Sequence, residues 1–332
     1  MSFARLKSLF DRGRDNALVR RGAKLLQVLF IGLVFYYLTE KVRAIGWDDV
    51  LAALPTSPWF YIFVVAMYFA YPLGEWLVYR RLWGEEAHKR FDVFVRMRIY
   101  NAAVMSYSGE AYLGIWAAKR VGGRKRDIAA KIKDSQILSA LSSNSLTILL
   151  LAMLFSSGKL SVFTGADPSY PTYVAIALGL SLFLIPLVVW FRKQILSLEP
   201  GVTRYVFGIH FTRLITVVAL QVGSWAVVLP NVPFEIWLVF LTGQYVLTRV
   251  PFLPNVDLMI AGLGLTLLAF VDAPAAALAG IFVASGAINQ VLHLSLFTAL
   301  TLRDMVRKPS GQSQPDQLVK PSTPAATGGV AD

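Results

Sequence analysis

The chain has 332 residues, of which 56% are hydrophobic and 16% charged, and its formal net charge is +12. Soluble domains carry about 25% charged residues, so this composition excludes an ordinary soluble protein. Cysteine is absent, which excludes disulfides and thiolate metal sites. The three histidines, His88, His210 and His293, form no ligand-spaced motif, so we predict no metal and no cofactor. The basic residues lie between apolar runs, where membrane orientation and anionic lipids explain them better than nucleic acid does.

Residues 1–24 predict a basic helix that lies in the membrane surface. Apolar side chains, among them Phe3, Leu6 and Phe10, share one helical face, and lysines and arginines flank it. This pattern suits an interfacial helix whose basic side chains snorkel toward the headgroups. We predict an anchor here, followed by a first span that is not cleaved.

Apolar runs approaching the roughly 20 residues that cross a bilayer recur through residues 25–302. They predict an all-α, polytopic helical membrane bundle of about eight spans plus a re-entrant hairpin. Within the second span, Pro72 and Gly74 predict an interruption. Residues 303–332 are rich in Ser, Pro, Gln and Gly and predict a disordered cytoplasmic tail. The predicted spans are 23–39, 59–79, 135–155, 172–191, 207–229, 234–247 and 275–302, with a broken segment at 249–265.

The segment 91–118 is apolar, yet polar residues interrupt it and basic clusters flank both of its ends. It carries Arg96, Arg98, Asn101 and Glu110. Because cytoplasmic loops collect Lys and Arg, both ends are predicted to face the same side of the membrane. A segment that enters the membrane and returns is a re-entrant hairpin. Its irregular backbone survives at membrane depth only against protein or a water-filled cavity.

A second interrupted segment covers residues 249–265. Pro251 and Pro254 break the helix, Arg249 precedes them and Asp257 follows. Paired interruptions of two apolar segments indicate a transporter-like binding site near the middle of the membrane. A charge that faces hydrocarbon costs at least about 2.5–3.5 kcal/mol on insertion scales, so the charges of these segments are expected to face a cavity or a partner.

Six residues of the two segments are the predicted substrate-binding residues, and several have an alternative structural role. Glu110 either caps a short helix after Ser108–Gly109 or provides an acid in a groove. Arg96 and Arg98 lie on roughly opposite faces of a helix, so one is expected to anchor at the interface and the other to hold a lipid phosphate. Arg249 is either an interfacial anchor or a further phosphate ligand. The six are Arg96, Arg98, Asn101, Glu110, Arg249 and Asp257.

Other polar residues of the spans predict packing or interfacial roles. Glu75, His210 and Arg213 are expected near membrane interfaces, and His293 is expected to hydrogen-bond between helices. A polar stripe at helical spacing either joins helices by hydrogen bonds or lines the cavity; it consists of Gln136, Ser139, Ser143 and Thr147.

Two local patterns carry a resemblance to a known family. The first comprises Arg96, Arg98, Asn101, Gly109–Glu110 and Lys119–Arg120–Val121–Gly122, and the second is the break Pro251–Asp257. With these residues the chain resembles the transmembrane region of lysylphosphatidylglycerol synthases, a flippase-like family of integral membrane proteins. It departs from the family in three ways: Leu113 stands in place of an arginine, Asn255 and Val256 replace two glycines, and the glutamate expected after the break is missing.

The resemblance covers roughly residues 25–302 and implies a role in lipid translocation. The soluble domain that transfers the amino acid in full-length synthases lies outside the resemblance, so lysine transfer is not implied. Asp257 is the residue that would substitute for the missing acid of the second signature.

These features predict a bacterial inner-membrane protein, with both termini cytoplasmic, that binds or translocates an amphiphilic lipid or a polyprenyl-linked headgroup through a polar groove. Its predicted partners are membrane lipids, anionic ones above all, and an envelope synthase or glycosyltransferase. No phosphate-binding motif G-x-x-x-x-G-K-[ST] is present, so transport would be downhill, ion-coupled or driven by a partner.

Two alternatives remain open. One is a membrane-embedded enzyme of envelope lipid or glycan synthesis that uses Glu110 or Asp257 as a base. The other is a non-catalytic subunit of a separate synthase. No catalytic residues are predicted, because no pair of carboxylates and no His–Asp combination occurs at helical spacing.

Overall fold

The computed structural model describes residues 52, 54–103, 107–250, 256–269 and 275–307. Throughout this part the chain is helical and contains no strand, which confirms the predicted all-α class. The predicted surface helix 1–24, the first span 23–39, the residues Pro251–Asn255 and the tail beyond 307 lie outside the described residues. The helices are α1 Pro58–Trp83, α2 Glu85–His88, α3 Phe91–Ala103, α4 Ser108–Arg120, α5 Lys125–Ser156, α6 Leu160–Ala166, α7 Tyr170–Trp190, α8 Arg192–Ile195, α9 Pro200–Ala226, α10 Phe234–Leu247, α11 Val256–Ala269 and α12 Ala275–Arg307.

Five of these helices are long and apolar enough to cross a membrane: α1, α5, α7, α9 and the part of α12 from Ala277 to Asp304. They correspond to five predicted spans and fit an integral membrane protein. The sixth predicted span in this part of the chain, α10, is apolar but has only 14 residues. The total of eight spans stays a prediction, because the first span and the break before α11 lie outside the described residues.

Several helices extend beyond their predicted bounds, among them α12, which continues to Arg307 into the predicted disordered tail. α5 begins at Lys125 and α9 begins at Pro200, in both cases with polar turns that hydropathy alone does not include. α1 continues without interruption through Pro72 and Gly74 to Trp83, so the predicted interruption of this span is wrong. A membrane helix tolerates such a proline because neighbouring helices and local adjustment compensate for the missing backbone donor.

α3 and α4 pack against each other as a hairpin of two 13-residue helices. The Gly109 N–H donates to Asn101 Oδ1 at 2.7 Å, and the Ser108 hydroxyl donates to the Tyr100 carbonyl at 2.7 Å. A Cβ at Gly109 would lie closer than 3.0 Å to the Met97 carbonyl oxygen, so only glycine fits where the two backbones meet. Each helix is about 20 Å long, shorter than a hydrocarbon core of about 30 Å.

The bundle centres on α1, α5 and α9, and α1 packs most extensively against α9. Opposite ends of these three helices contribute to two separate apolar cores. The first core includes Phe60, Leu154 and Trp225, and the second includes Trp83, Ile128 and Val206. Between the two cores, near the midpoint of each helix, the three helices present polar side chains to one another.

Candidate functional site

A buried ion pair joins the second half of α1 to the midpoint of α9. Arg213 Nη1 lies 2.6 Å from Glu75 Oε1, and the side chains of Arg213 and Glu75 are only 7% and 1% exposed. Arg213 also donates to Ser139 Oγ on α5 at 3.1 Å. Two charges inside an apolar bundle are stable only when they are paired and hydrogen-bonded, which the three helices achieve together.

Gly74 makes this arrangement possible. A Cβ at position 74 would lie 2.6 Å from Arg213 Cδ, so the bare backbone of α1 provides the space for the arginine side chain. Glu75 and Arg213, predicted near membrane interfaces, are thus buried against each other inside the bundle. Both residues lie between the two apolar cores, because α1 extends further and α9 begins earlier than hydropathy indicated.

His210, also predicted near an interface, lies one turn before Arg213 and is fully buried. Its Nε2 is 3.1 Å from Ser135 Oγ, and its Nδ1 is 4.0 Å from Glu75 Oε1. Ser135, His210 and Glu75 thus follow the order of a catalytic triad. However, 4.0 Å is too long for a hydrogen bond, and Ser135 is fully buried, so this arrangement joins helices and does not present a nucleophile.

Arg98 reaches the same region from the hairpin. Its guanidinium carbon lies 4.4 Å from the ring centroid of Tyr68 and 5.5 Å from that of Tyr71. The Arg213 guanidinium carbon is 4.6 Å from the Tyr71 ring centroid. Two cations therefore lie near one tyrosine, an arrangement that cation–π attraction stabilises. The Tyr68 hydroxyl lies 2.9 Å from Nδ1 of His293 on α12, which agrees with the interhelical hydrogen bond predicted for this histidine.

Glu110 approaches the cluster from the first turn of α4. Its carboxylate lies close to the Asn101 side chain and within electrostatic range of Glu75. Tyr71 is affected by the charges of both glutamates and of Arg98 and Arg213. Glu110 is therefore more than a helix cap, because it adds a second carboxylate to the region around Tyr71.

Arg249 joins the cluster through α5. It donates to Ser143 Oγ, one turn along α5 from Ser139, which accepts from Arg213. Tyr245 lies within electrostatic range of both arginines. Two serines of the predicted polar stripe thus receive arginine side chains, whereas Thr147 bonds the carbonyl of Ser143 within its own helix. We call the whole set the central polar cluster; it comprises Tyr71, Glu75, Arg98, Glu110, Ser139, Ser143, His210, Arg213 and Arg249.

Several buried atoms of the cluster have no hydrogen-bond partner within the described part of the chain. They are Glu75 Oε2, Arg98 Nε, Glu110 Oε2, His210 Nδ1 and Arg249 Nε. Buried polar atoms in native proteins are almost always hydrogen-bonded, to protein or to water, so each such atom requires an explanation. Three of these atoms, on Arg98, Glu110 and Arg249, belong to predicted substrate-binding residues.

Arg96 points away from the cluster. Its Nη2 lies 2.6 Å from Asp304 Oδ2 on α12. The Arg96 guanidinium is therefore engaged in an ion pair and is not counted among the residues that could bind a ligand. Beside it, Asp92 bonds Arg90 at 3.0 Å and Arg303 at 2.7 Å. Burial raises the pKa of the Asp92 carboxyl, but the hydrogen bonds and charges of Arg90 and Arg303 outweigh it, and this pKa lies below its ordinary value. These ion pairs fasten the open end of the hairpin to the C-terminal end of α12.

The six predicted site residues thus divide into groups. Arg98, Glu110 and Arg249 lie in the central polar cluster, and Asn101 supports it by holding the start of α4. Arg96 lies outside it. Asp257 belongs to the first turn of α11, and its side chain lies outside the described residues. The described part of the chain contains no group of His, Asp or Glu that could hold a metal ion.

Comparison of the chain with models of protein families, with characterised proteins and with solved structures finds no match.

Proposed function

We propose that this protein binds the phosphate-bearing headgroup of an amphiphilic lipid in the central polar cluster and moves it across a bacterial inner membrane. The acyl or polyprenyl chains would remain in the bilayer, so that only the headgroup needs a polar path. The location of the cluster supports this proposal, because Tyr71, Arg213 and Ser139 lie near the midpoints of three helices that are long enough to span a membrane. Ionisable residues at such depth usually mark a substrate path.

The observation that carries the proposal is the set of unpartnered polar atoms on Arg98, Glu110 and Arg249. The nearby Glu75–Arg213 pair is neutral as a pair, although Glu75 Oε2 also has no hydrogen-bond partner within the described residues. An incoming headgroup would supply the hydrogen bonds that the three residues lack. Among the described residues the cluster holds three arginines and two glutamates, and the excess of positive charge favours an anionic group such as phosphate.

Different residues of the cluster would bind different groups of the headgroup. Arg98 and Arg249 would contact the phosphate, as guanidinium groups bind phosphate oxygens in pairs. Glu110 would accept hydrogen bonds from hydroxyl or cationic groups of the headgroup. Arg96, engaged with Asp304, has no part in this scheme, and Asp257 remains a candidate through its place at the start of α11.

The hairpin of α3 and α4 would enter the membrane and return to the same side. Its helices are too short to cross, and ion pairs hold its open end beside the C-terminal end of α12. Arg98 nevertheless reaches Tyr68 and Tyr71 at the middle of α1. A hairpin that penetrates halfway from the cytoplasmic side accounts for these contacts, and it is consistent with cytoplasmic termini.

The test is lipid scrambling in proteoliposomes that contain fluorescently labelled phosphatidylglycerol, followed by chemical quenching of the outer leaflet. We expect the wild-type protein to make the inner-leaflet probe accessible to the quencher. Arg98→Gln and Glu110→Gln should each slow this exchange at least tenfold, which corresponds to about 1.4 kcal/mol or more. Glu235→Gln, which changes an exposed carboxylate in the first turn of α10, is the matched control and should retain the wild-type rate.

Three outcomes would contradict the proposal. Wild-type vesicles without exchange would favour a subunit that acts only with a separate synthase. Exchange at the same rate in all variants would exclude the central polar cluster as the path. Chemically altered lipid recovered from the vesicles would instead favour an enzyme.

A further inference from the structure

A second polar site lies at the C-terminal end of α1, away from the central polar cluster. Arg80 and Arg81 of α1, Gly84 after it and Tyr205 of α9 line a shallow cavity of about 440 Å³ that is wide open to the outside, and all four residues are exposed. The proposed function makes no use of these residues.

The side chains around the cavity share one chemistry. Two guanidinium groups and one phenol provide hydrogen-bond donors from two helices, and the four lining residues include no carboxylate. The nearest acidic residue in sequence, Glu85, forms a salt bridge with Lys89 at 3.4 Å. The Arg80 guanidinium carbon lies 5.4 Å from the Trp76 ring centroid, a contact that orients this side chain. The cavity therefore offers positive charge in a partly ordered arrangement.

Gly84 leaves the cavity open. It has φ +65°, which suits glycine, and a Cβ built at this position would meet nothing within 4 Å. Arg80 and Arg81 lie in the last turn of an apolar helix that is long enough to span a membrane. The cavity is therefore at the level where lipid headgroups meet the end of a spanning helix, and basic pockets between helices at this level bind anionic headgroups.

We infer that this cavity is a binding site for a phosphate group, held by Arg80 and Arg81 with Tyr205 as a further donor. The phosphate can belong to the headgroup of an anionic lipid of the surrounding leaflet or to a soluble phosphate. Bound there, it would bridge the end of α1 to the start of α9, the two helices that also share the Glu75–Arg213 pair. The site is independent of the central polar cluster.

The experiment is native mass spectrometry of the full-length protein in neutral detergent, with equal amounts of phosphatidylglycerol and phosphatidylcholine. All variants are made in the Arg98→Gln background, so that lipid bound in the central polar cluster is scored separately. We expect one phosphatidylglycerol to remain bound in this background, and the variant that combines Arg80→Gln with Arg81→Gln to bind it at least tenfold more weakly. Tyr205→Phe should weaken binding about threefold.

The matched control combines Arg192→Gln with Lys193→Gln, a basic pair at the end of the apolar helix α7. This control should retain wild-type binding. Competition by inorganic phosphate would identify the soluble anion as a ligand, whereas binding of the lipid without competition would identify the headgroup; either result supports the site. Equal weakening by both double variants would overturn the inference, because it would show general attraction of basic residues to anionic lipid.

The single variants Arg80→Gln and Arg81→Gln guard against failure of the double variant to fold, and each should weaken binding at least threefold. Unchanged binding in both singles would overturn the inference. Loss of scrambling in Arg98→Gln with retained binding at this cavity would separate the two sites. Scrambling that fails in the wild-type protein would refute the proposed function and leave this inference standing.

Discussion

At the scale of single residues, the Glu75–Arg213 ion pair determines how α1 and α9 are joined. Either charge alone would be unstable inside the apolar bundle. Glu75 and Arg213 are almost completely buried, and Arg213 has a further acceptor in Ser139. Removal of one partner from a buried pair leaves an uncompensated charge and typically costs about 3–5 kcal/mol, whereas removal of both costs much less.

We therefore expect Arg213→Gln to lower the free energy of unfolding by about 3–5 kcal/mol, because the Glu75 carboxylate would remain buried without a counter-charge. Unfolding of the purified protein in mixed micelles measures this change. Addition of Glu75→Gln to the same chain should restore most of the loss.

Arg204→Gln is the control for this prediction, since Arg204 is an exposed arginine in the first turns of the same helix. It should change the free energy of unfolding by less than about 0.5 kcal/mol. If the double variant is as unstable as Arg213→Gln, the two side chains are not coupled and the ion pair does not hold α1 to α9.

At the scale of helices, the hairpin of α3 and α4 depends on one backbone contact. Gly109 approaches the Met97 carbonyl so closely that no Cβ fits, and its N–H is held by Asn101. Gly114 of the same helix is different, because a Cβ there would lie 3.6 Å from Ile132 Cδ1, an ordinary contact distance.

The pair of variants Gly109→Ala and Gly114→Ala tests this contact. Gly109→Ala should destabilise the protein by about 1–3 kcal/mol, as overpacking does, and should also reduce scrambling because α4 carries Glu110. Gly114→Ala should be neutral or slightly stabilising, since alanine favours a helix more than glycine does. Thermal unfolding measures the stability of both variants, and the vesicle assay measures their scrambling rates. Equal effects of the two substitutions would mean that the hairpin tolerates separation of its helices.

The position of the short paired helices α3 and α4 was predictable from the sequence for a local reason, whereas their re-entry into the membrane stays a prediction. Arg98, Asn101 and Glu110 lie within one short segment, and the basic residues at both of its ends indicate a return to the same side. The central ion pair was not predictable, because its partners are 138 positions apart in the sequence and each alone resembles an interfacial charge.

The position of Arg213 along its helix was misjudged because hydropathy does not detect polar turns at the start of a helix. α9 begins at Pro200, where proline suits the first helical position, and its first turns include Arg204. Hydropathy places the start at residue 207, and Arg213 then falls near the end of the span instead of at its middle. Gly74 beside Glu75 was a usable signal, since small residues in membrane helices often mark close approach of a neighbour.

At the scale of the whole molecule, the helices form two apolar cores with a polar layer between them. α1, α5 and α9 each pass from one core to the other through the central polar cluster. α3, α4 and α12 close one side, fastened by the Arg96–Asp304 and Asp92–Arg303 pairs. A polar layer in the middle of the bundle is the arrangement expected of a protein that carries a headgroup across a membrane.

The orientation of this bundle provides the last prediction. If the hairpin is re-entrant, Lys89 before it and Lys125 after it lie on the same side of the membrane, and Lys159 beyond α5 lies on the opposite side. All three lysines are exposed, and the chain contains no cysteine, so single cysteines can be introduced without a background signal. A membrane-impermeant maleimide should label Lys89→Cys and Lys125→Cys only in inverted vesicles and Lys159→Cys only in spheroplasts. The unmodified chain has no cysteine and is the negative control for labelling. Labelling of the first two cysteines from opposite sides would show that residues 91–118 cross the bilayer, and the path proposed for the headgroup would then be wrong.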